Sequence, residues 1–400
     1  MSRVQDGVEP EPAECGSGSG ALPTVKRILQ EAIRERATDV HFEPEWDQLK
    51  VRYRIDGMLQ LFHSYSADMG PKMISALKVL AGEDVAESRR AQDGSFSGAL
   101  DGRSVDFRTA TSGTSQGEKM VVRILDRTSA LKTLDGLGLR KKTHRRIRAF
   151  LKKTNGMLLA SGPTGSGKST TLYAALQEID RAAKNVTTIE DPVEYNLEGV
   201  TQQGINEEAG ITFAEVLRNT LRQDPDVLMV GEIRDRETAE ITMQAAMTGH
   251  LVLSTVHAND TISCIYRLFD LSVRPYLISS AIGAILSQRL MRKLCRHCRA
   301  EKKPTPEERK ALGLSEGKSV ALYDAVGCDR CHGTGYRGRI GAFELLEFTD
   351  ELRDLIQSKG STTELRKAAR KAGMVPLKKD ALAKAMRGIT TVEEALRATG

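Results

Sequence analysis

Gly162-Pro163-Thr164-Gly165-Ser166-Gly167-Lys168-Ser169 fits the spacing G-x-x-x-x-G-K-[ST] at every fixed position, and Thr170 follows directly. Glycines at those positions let backbone N–H groups turn inward around phosphate oxygens. A helix starting there adds the positive end of its dipole. Lys168 would then reach the β- and γ-phosphates of a nucleotide, and Ser169 would hold Mg²⁺. The alternative, a glycine-rich turn that happens to end in Lys-Ser, suits the flanking segments poorly. The motif is specific for a nucleotide and silent on what the nucleotide drives.

Acids and histidines come next. The apolar run Val227-Leu228-Met229-Val230 ends in Gly231-Glu232. Strand ends beside a phosphate loop are where nucleotide hydrolases place carboxylates. The usual arrangement ends in an Asp that supports Mg²⁺; here that position is Gly231. Glu232 standing alone could polarise an attacking water as general base, or be a solvated strand-end acid. Thr188-Ile189-Glu190-Asp191-Pro192-Val193-Glu194 places three acids close together at the end of another strand-like run. Beside a triphosphate they would repel it unless a cation intervened, which favours Mg²⁺ and water positioning over a plain acidic turn. His250 and His257 bracket Leu251–Val256. Their odd spacing puts them on opposite faces of a strand, unless the Gly249-His250 turn breaks the pattern. One of them could sense the γ-phosphate, and a structural role is equally open.

Four cysteines form two pairs, Cys295-x-x-Cys298 and Cys328-x-x-Cys331. Four thiolates so spaced suit a tetrahedral Zn²⁺, and a closed ligand set makes the site structural. The intervening insert must loop out or form a small helix. Cys328 to His332 also spells the haem-attachment pattern C-x-x-C-H, which a partner pair and the lack of a secretory signal argue against. Cys15 and Cys264 read as free thiols.

Three compositionally distinct parts, following an N-terminal tail, must position these residues. Residues 1–20 are rich in Pro, Glu, Gly and Ser and read as a disordered tail. Residues 21–127 mix a helix-spaced apolar set (Val25, Ile28, Leu29, Ala32, Ile33) with alternating strands such as Val51, Tyr53 and Ile55 against Arg52, Arg54 and Asp56. This predicts a small α+β domain, followed by a linker at 128–142. In residues 143–290 apolar runs alternate with helical patterns, which predicts a parallel sheet covered by helices. Residues 291–343 carry the cysteines, and 344–400 read as amphipathic helices. The expected class is therefore α/β.

Composition bounds the rest. The chain has 400 residues, 40% hydrophobic and 28% charged, as in ordinary globular proteins; aromatic content is only 4%, so the core is aliphatic. A net charge of +6 permits contact with anionic surfaces and is too weak to argue for nucleic acid. No apolar run is long enough to span a bilayer, and the start lacks a signal-peptide shape, so a cytoplasmic location is expected.

The stretch from Leu221 to Asp260, LRQDPDVLMVGEIRDRETAEITMQAAMTGHLVLSTVHAND, closely resembles the signature of the secretion ATPases, specifically the GspE/PulE/PilB group of type II secretion and type IV pilus assembly. The resemblance extends over roughly residues 21–400, through ATDVHFEP, VRYRIDGML, VDFR, GEKMVVRIL, SQRLMRKLCRHC and CDRCHGTGYRGRIGAFELLE. It implies a RecA-like ATPase core after a PAS-like second N-terminal domain, with a zinc-binding and helical C-terminal region. It implies ATP as substrate, and that Gly231 before Glu232 is a family trait. Glu190 falls in its aspartate box and His257 in its histidine box. Arginines from the preceding domain reach the phosphates in the family, and Arg108 and Arg123 stand at the matching positions; from spacing alone they are ordinary strand-face arginines. Such guanidinium groups would neutralise charge developing in phosphoryl transfer.

The resemblance further implies a homo-hexamer driven by domain motion. Its partner would be an inner-membrane platform protein, with membrane contact only through partners and no nucleic acid. The tetracysteine region favours assembly over retraction. Full-length members of the family usually carry a further N-terminal domain that binds an inner-membrane partner, whereas about 20 residues precede the shared region here. Two other classes remain: a zinc-containing, nucleic-acid-stimulated ATPase, which lacks a stacking motif here, and a slow nucleotide-dependent switch, against which Glu232 and the two arginines count.

Overall fold

Alternation of apolar and charged residues makes the first strands, and their apolar faces need a cover. The structure, a computed structural model, describes residues 20–100, 103–126, 132–206, 209–315 and 320–400. The tail expected at 1–20, Cys15 with it, falls outside these residues except for Gly20, as does part of the expected linker. The chain divides into two compact units, residues 1–129 and 130–400.

The first unit contains α1 (Ala21–Arg34), β1 (Asp39–Pro44), β2 (Gln48–Ile55), β3 (Met58–Ser66), α2 (Met69–Ala81), β4 (Gln92–Leu100), β5 (Arg103–Thr114) and β6 (Gly117–Asp126). The strands form one antiparallel sheet in the order β3-β2-β1-β6-β5-β4. Val40 and Phe42, Val51 and Tyr53, and Met120 and Val122 face the same core as Val25, Ile28 and Leu29 of α1 and Met73, Ile74 and Leu77 of α2. The helices thus cover one face. With period-two alternation, Asp39, Arg54, Arg108 and Arg123 occupy the other.

The second unit begins with α3 (Lys141–Leu151) and is built on β7 (Gly156–Ser161), α4 (Lys168–Leu176), β8 (Val186–Glu190), β9 (Thr201–Gly204), α5 (Phe213–Thr220), β10 (Val227–Val230), α6 (Arg236–Met247) and β11 (Leu251–Val256). There follow α7 (Thr261–Asp270), α8 (Pro275–Ala281), β12 (Ile282–Leu294), β13 (Arg299–Lys302), α9 (Pro306–Leu312), β14 (Leu322–Ala325) and β15 (Tyr336–Glu347). Four helices close the chain: α10 (Asp350–Gln357), α11 (Thr362–Lys371), α12 (Leu377–Ala385) and α13 (Val392–Thr399). Seven strands form one sheet, β15-β12-β7-β11-β10-β8-β9. Successive residues of β7 alternate between two cores, Met157 and Leu159 in one, Leu158 and Ala160 in the other. Both faces are therefore buried, which explains why β7, β8, β10 and β11 read as continuous apolar runs.

The strands of residues 143–290 pair parallel, as expected. The whole sheet is nevertheless mixed, because β15, from beyond that segment, joins β12 antiparallel along most of its length. Sequence position separates the two strands by the whole cysteine-bearing insert. Their pairing is set by the apolar residues they bring to the sheet: Leu345 and Phe343 lie in one core and Leu346 in the other.

The C-terminal helices are fastened by buried charge. Glu394, 1% exposed, accepts hydrogen bonds from Arg397 Nε and Nη2 (2.7 Å each), from Arg292 Nη2 (2.8 Å) and from the Arg292 N–H (2.8 Å). Burial alone would raise its pKa; the two arginines and the backbone donor outweigh it and hold the carboxyl at about 2. A depressed folded-state value stabilises the protein above the unfolded-state pKa near 4.5, and that stability drains away as pH falls toward 2. Glu394→Gln is expected to cost about 3 kcal/mol at neutral pH. Its thermal unfolding midpoint should depend less on pH across that acid window than the wild type's. An unchanged midpoint and acid profile would show that the cluster is dispensable.

Candidate functional site

The phosphate loop leaves β7 at Ser161 and enters α4 at Lys168. Gly162, Gly165 and Gly167 have φ of +156°, +74° and +87°, backbone shapes that a side chain resists. Lys168 Nζ donates to the Gly162 carbonyl at 3.0 Å, folding the ammonium over the loop. Burial lowers the Lys168 pKa, opposed by Glu232 and assisted by Arg289. A cavity of about 400 Å³ opens beside the loop; Lys168, Ser169, Thr170, Glu190, Glu232 and His257 are among its walls. Loop, acids and one histidine thus surround a single space within the second unit.

Glu232 follows β10. Its Oε1 accepts from Arg234 Nη2 at 2.5 Å, and its Oε2 lies 3.4 Å from His257 Nε2. Arg234 also reaches Asp191 Oδ2 at 3.4 Å, tying the end of β10 to the end of β8. Burial lowers the His257 pKa, and nearby Lys168 adds to this against the pull of Glu232. The imidazole is therefore neutral near pH 7, able to donate or accept one hydrogen bond at the cavity wall. His250 sits at the far end of β11, with Nδ1 2.9 Å from the Ala245 carbonyl oxygen, so the two histidines do not share a site.

Glu190 is held differently. It is 5% exposed and accepts from the Tyr173 hydroxyl, from Thr188 Oγ1 at 2.5 Å and from Gln202 Nε2 at 3.0 Å. The Tyr173 hydroxyl in turn accepts from the Glu194 N–H at 3.3 Å. Desolvation and Glu190 push the tyrosine pKa well above its ordinary value, so it remains a proton donor. The acidic segment after β8 is thereby anchored to α4, the helix that carries Lys168.

Arg108 and Arg123 belong to the first unit. They are directly opposite across β5 and β6, on the sheet face away from the helices. Arg123 Nε donates to Asp39 Oδ1 at 3.0 Å, and Arg54 lies 3.7 Å from the other oxygen of the same carboxylate. Asp39 pairs with both arginine positions in the strand register, so it spaces like charges along one row.

The cysteines converge. Their four sulfurs all lie within 4.8 Å of one another, with Cys295–Cys328 at 3.9 Å, Cys298–Cys331 at 3.8 Å and Cys328–Cys331 at 3.7 Å. Four thiolates 2.3 Å from a central Zn²⁺ would stand about 3.8 Å apart, so this donor set fits that ion. The N–H groups of Cys328 and Gly335 donate to Cys331 Sγ at 3.2 Å. Against burial, they hold that thiol below its ordinary range, at about 7. The insert between the pairs contributes α9, capped by Thr305 and Glu308, and the β13–β14 ribbon.

Three site residues escaped the sequence reading: Arg234, Tyr173 and Gln288. Arg234 lies within the quoted signature and Tyr173 on α4 just past the phosphate loop, but only their tertiary placement shows that they touch the acids. Gln288 is far from the phosphate loop in sequence; it lies within the quoted stretch SQRLMRKLCRHC, where nothing local marks its contact with the loop. Cys264 is fully buried in the apolar core and its thiol is pushed up to about 12 by desolvation, as an inert packing residue would be.

Comparison with known proteins gives independent likenesses. The family model described as "Type II/IV secretion system protein" matches residues 18–397. The chain is 45% identical over 395 residues to the type IV pilus assembly ATPase PilB of Thermus thermophilus, covering 98% of this chain and 44% of that protein. It is 44% identical over 375 residues to type II secretion system protein E of Pseudomonas aeruginosa, covering 94% and 74% respectively. It therefore spans under half of one relative and about three quarters of the other. Among solved structures, the ADP-bound pilus retraction motor PilT matches with TM-score 0.61 and 26% identity over 93% of this chain and 95% of that one. The Legionella pneumophila ATPase DotB matches with TM-score 0.69 over 96% and 97% of the two chains; at 20% identity it supports the ATPase fold alone.

The cysteine geometry carries its own test. Cys295→Ser should cost the purified protein about one equivalent of zinc, read by elemental analysis, and lower its thermal midpoint by several degrees, on the order of 2 kcal/mol. Wild-type protein without stoichiometric metal would refute the assignment.

Proposed function

The chain belongs to the Type II/IV secretion system protein family, and from that premise we propose that it is a motor ATPase that powers type II secretion or type IV pilus assembly. The observation that carries this reading is the shared cavity: Lys168 and Ser169 of the phosphate loop, Glu232 and His257 line one space. ATP is the ligand that loop fits, and hydrolysis to ADP and phosphate is the reaction the acids can serve.

Glu232 accepts a proton from the water that attacks the γ-phosphorus, and Lys168 stabilises negative charge on the transferring group. Mg²⁺ held through Ser169 would supply further neutralisation of the phosphate oxygens. Arg234, by a hydrogen bond to one oxygen, and His257, 3.4 Å from the other, keep the Glu232 carboxylate in place. Glu190, fixed by Tyr173, Thr188 and Gln202, orients the acidic segment that orders the cation and water. Arg108 and Arg123, side by side on a rigid sheet, are the guanidinium groups that meet the phosphates in the working assembly.

That assembly is a homo-hexamer in which hydrolysis displaces one unit against the other. The second unit supplies the RecA-like core and the first a PAS-like module. The four cysteines hold a structural Zn²⁺. In this reading the protein works in the cytoplasm, docked at the inner membrane through a platform protein. Support for the machine comes from the relatives named above.

Phosphate release by the purified protein tests the enzyme. Lys168→Ala should abolish nucleotide binding or turnover. Glu232→Gln should keep ATP bound while turnover drops at least ~100-fold. Wild-type turnover in the Glu232 variant removes its role as base. Arg108→Ala and Arg123→Ala should each cut turnover by about 100-fold or more. Unchanged rates would detach the first unit from the chemistry.

A further inference from the structure

Strand β12 does more than extend the sheet. It lies parallel to β7, with Ser287 opposite Ser161, so its next residue falls beside the start of the phosphate loop. That residue is Gln288, 2% exposed. Its Nε2 donates to the Ser166 carbonyl at 2.8 Å, spanning 122 positions of sequence. Its Oε1 and the Ser166 hydroxyl are both buried without a hydrogen-bond partner among the described residues. Gln288 also lines the cavity that holds Lys168 and Glu232.

The loop packs closely against β12. A Cβ at Gly162 would come within 2.7 Å of the Gln288 backbone carbonyl oxygen and 2.4 Å of Ser166 Oγ. A Cβ at Gly167 would come within 3.3 Å of Gln288 Nε2. Gly162 is thus required by β12 as well as by any phosphate, and Gly167 lies in close contact with the Gln288 amide. In a planar trans peptide the carbonyl and the next N–H point in opposite directions. With the Ser166 carbonyl turned to β12, the Gly167 N–H is turned away from it. Were that peptide free to rotate, a carbonyl could face the phosphates in place of an N–H.

We infer that Gln288 is a positioning residue for the phosphate loop: its amide fixes the Ser166–Gly167 peptide so that the Gly167 N–H is presented to bound phosphate. This rests on the ATPase reading and adds a residue outside the phosphate loop and the acid and histidine motifs. Gln288 acts through the loop and transfers no proton itself. Neither its backbone position nor its bulk is what matters; the donor at Nε2 is.

Two variants of nearly unchanged shape separate donor from bulk. Gln288→Met removes the donor, and Gln288→Glu places an acceptor against the Ser166 carbonyl. Affinity for a fluorescent ADP analogue and the nucleotide-free thermal midpoint are measured for both, with wild type and Lys168→Ala alongside. Loss of one positioned hydrogen bond should weaken binding by about fivefold to tenfold in Gln288→Met, and more in Gln288→Glu. The midpoint of Gln288→Met should stay within about 3 °C of wild type, and its KM for ATP should rise more than its kcat falls. Wild-type affinity in Gln288→Met overturns the inference, as does equal loss in the two variants. If wild type binds ADP and Lys168→Ala does not, such a result leaves the ATPase reading standing; if wild type binds none, both fall.

Discussion

Parallel strands end at one edge, and the chemistry of the second unit follows from that constraint. β7, β8, β10 and β11 all run the same way, so the residues after each strand gather at the same rim. Ser161 hands over to the phosphate loop, β8 ends in Glu190, β10 is followed by Glu232, and β11 by His257. These positions are scattered over about a hundred residues of chain, yet they line one cavity. Shifting one strand by a single residue would turn its terminal acid to the other face of the sheet. Burial of both faces penalises such a slip, because every apolar side chain of the strand would exchange cores.

Positive and negative groups at that rim are balanced by geometry. Lys168, Arg234 and Arg289 stand among Glu232, Asp191 and Asp260. Arg234 touches two acids from different strands, so it stiffens the rim while limiting repulsion between them. Glu190 is treated in the opposite manner: three neutral donors surround it, and its carboxylate is spent on holding structure. Two glutamates at equivalent strand ends are thereby given different work, one open to the cavity beside a cation, the other locked in place.

The same strand that supports the phosphate loop leads into the metal module. β12 passes Gln288 and ends at Leu294, immediately before Cys295. β15 returns from Cys331 through Tyr336 and pairs with β12 back to the sheet. The cysteine cluster, the Glu394 clamp and the C-terminal helices are thus built around two long paired strands. Stability of that corner and geometry of the loop share a physical support.

The amino-acid sequence alone established what is local. A glycine-rich turn followed by Lys-Ser, paired cysteines two residues apart, runs of buried strand and alternating half-buried strand all depend on backbone shape and spacing within a few residues. That is why the loop, the four sulfurs and the α/β class could be read without coordinates. Tertiary structure decided which distant groups meet. The pairing of β15 with β12, the grip of Gln288 on Ser166, the bridge from Arg234 to Asp191 and the bond from Tyr173 to Glu190 all cross between elements. Such contacts follow from strand register and from the packing of two cores, quantities that no single stretch of chain encodes by its own periodicity.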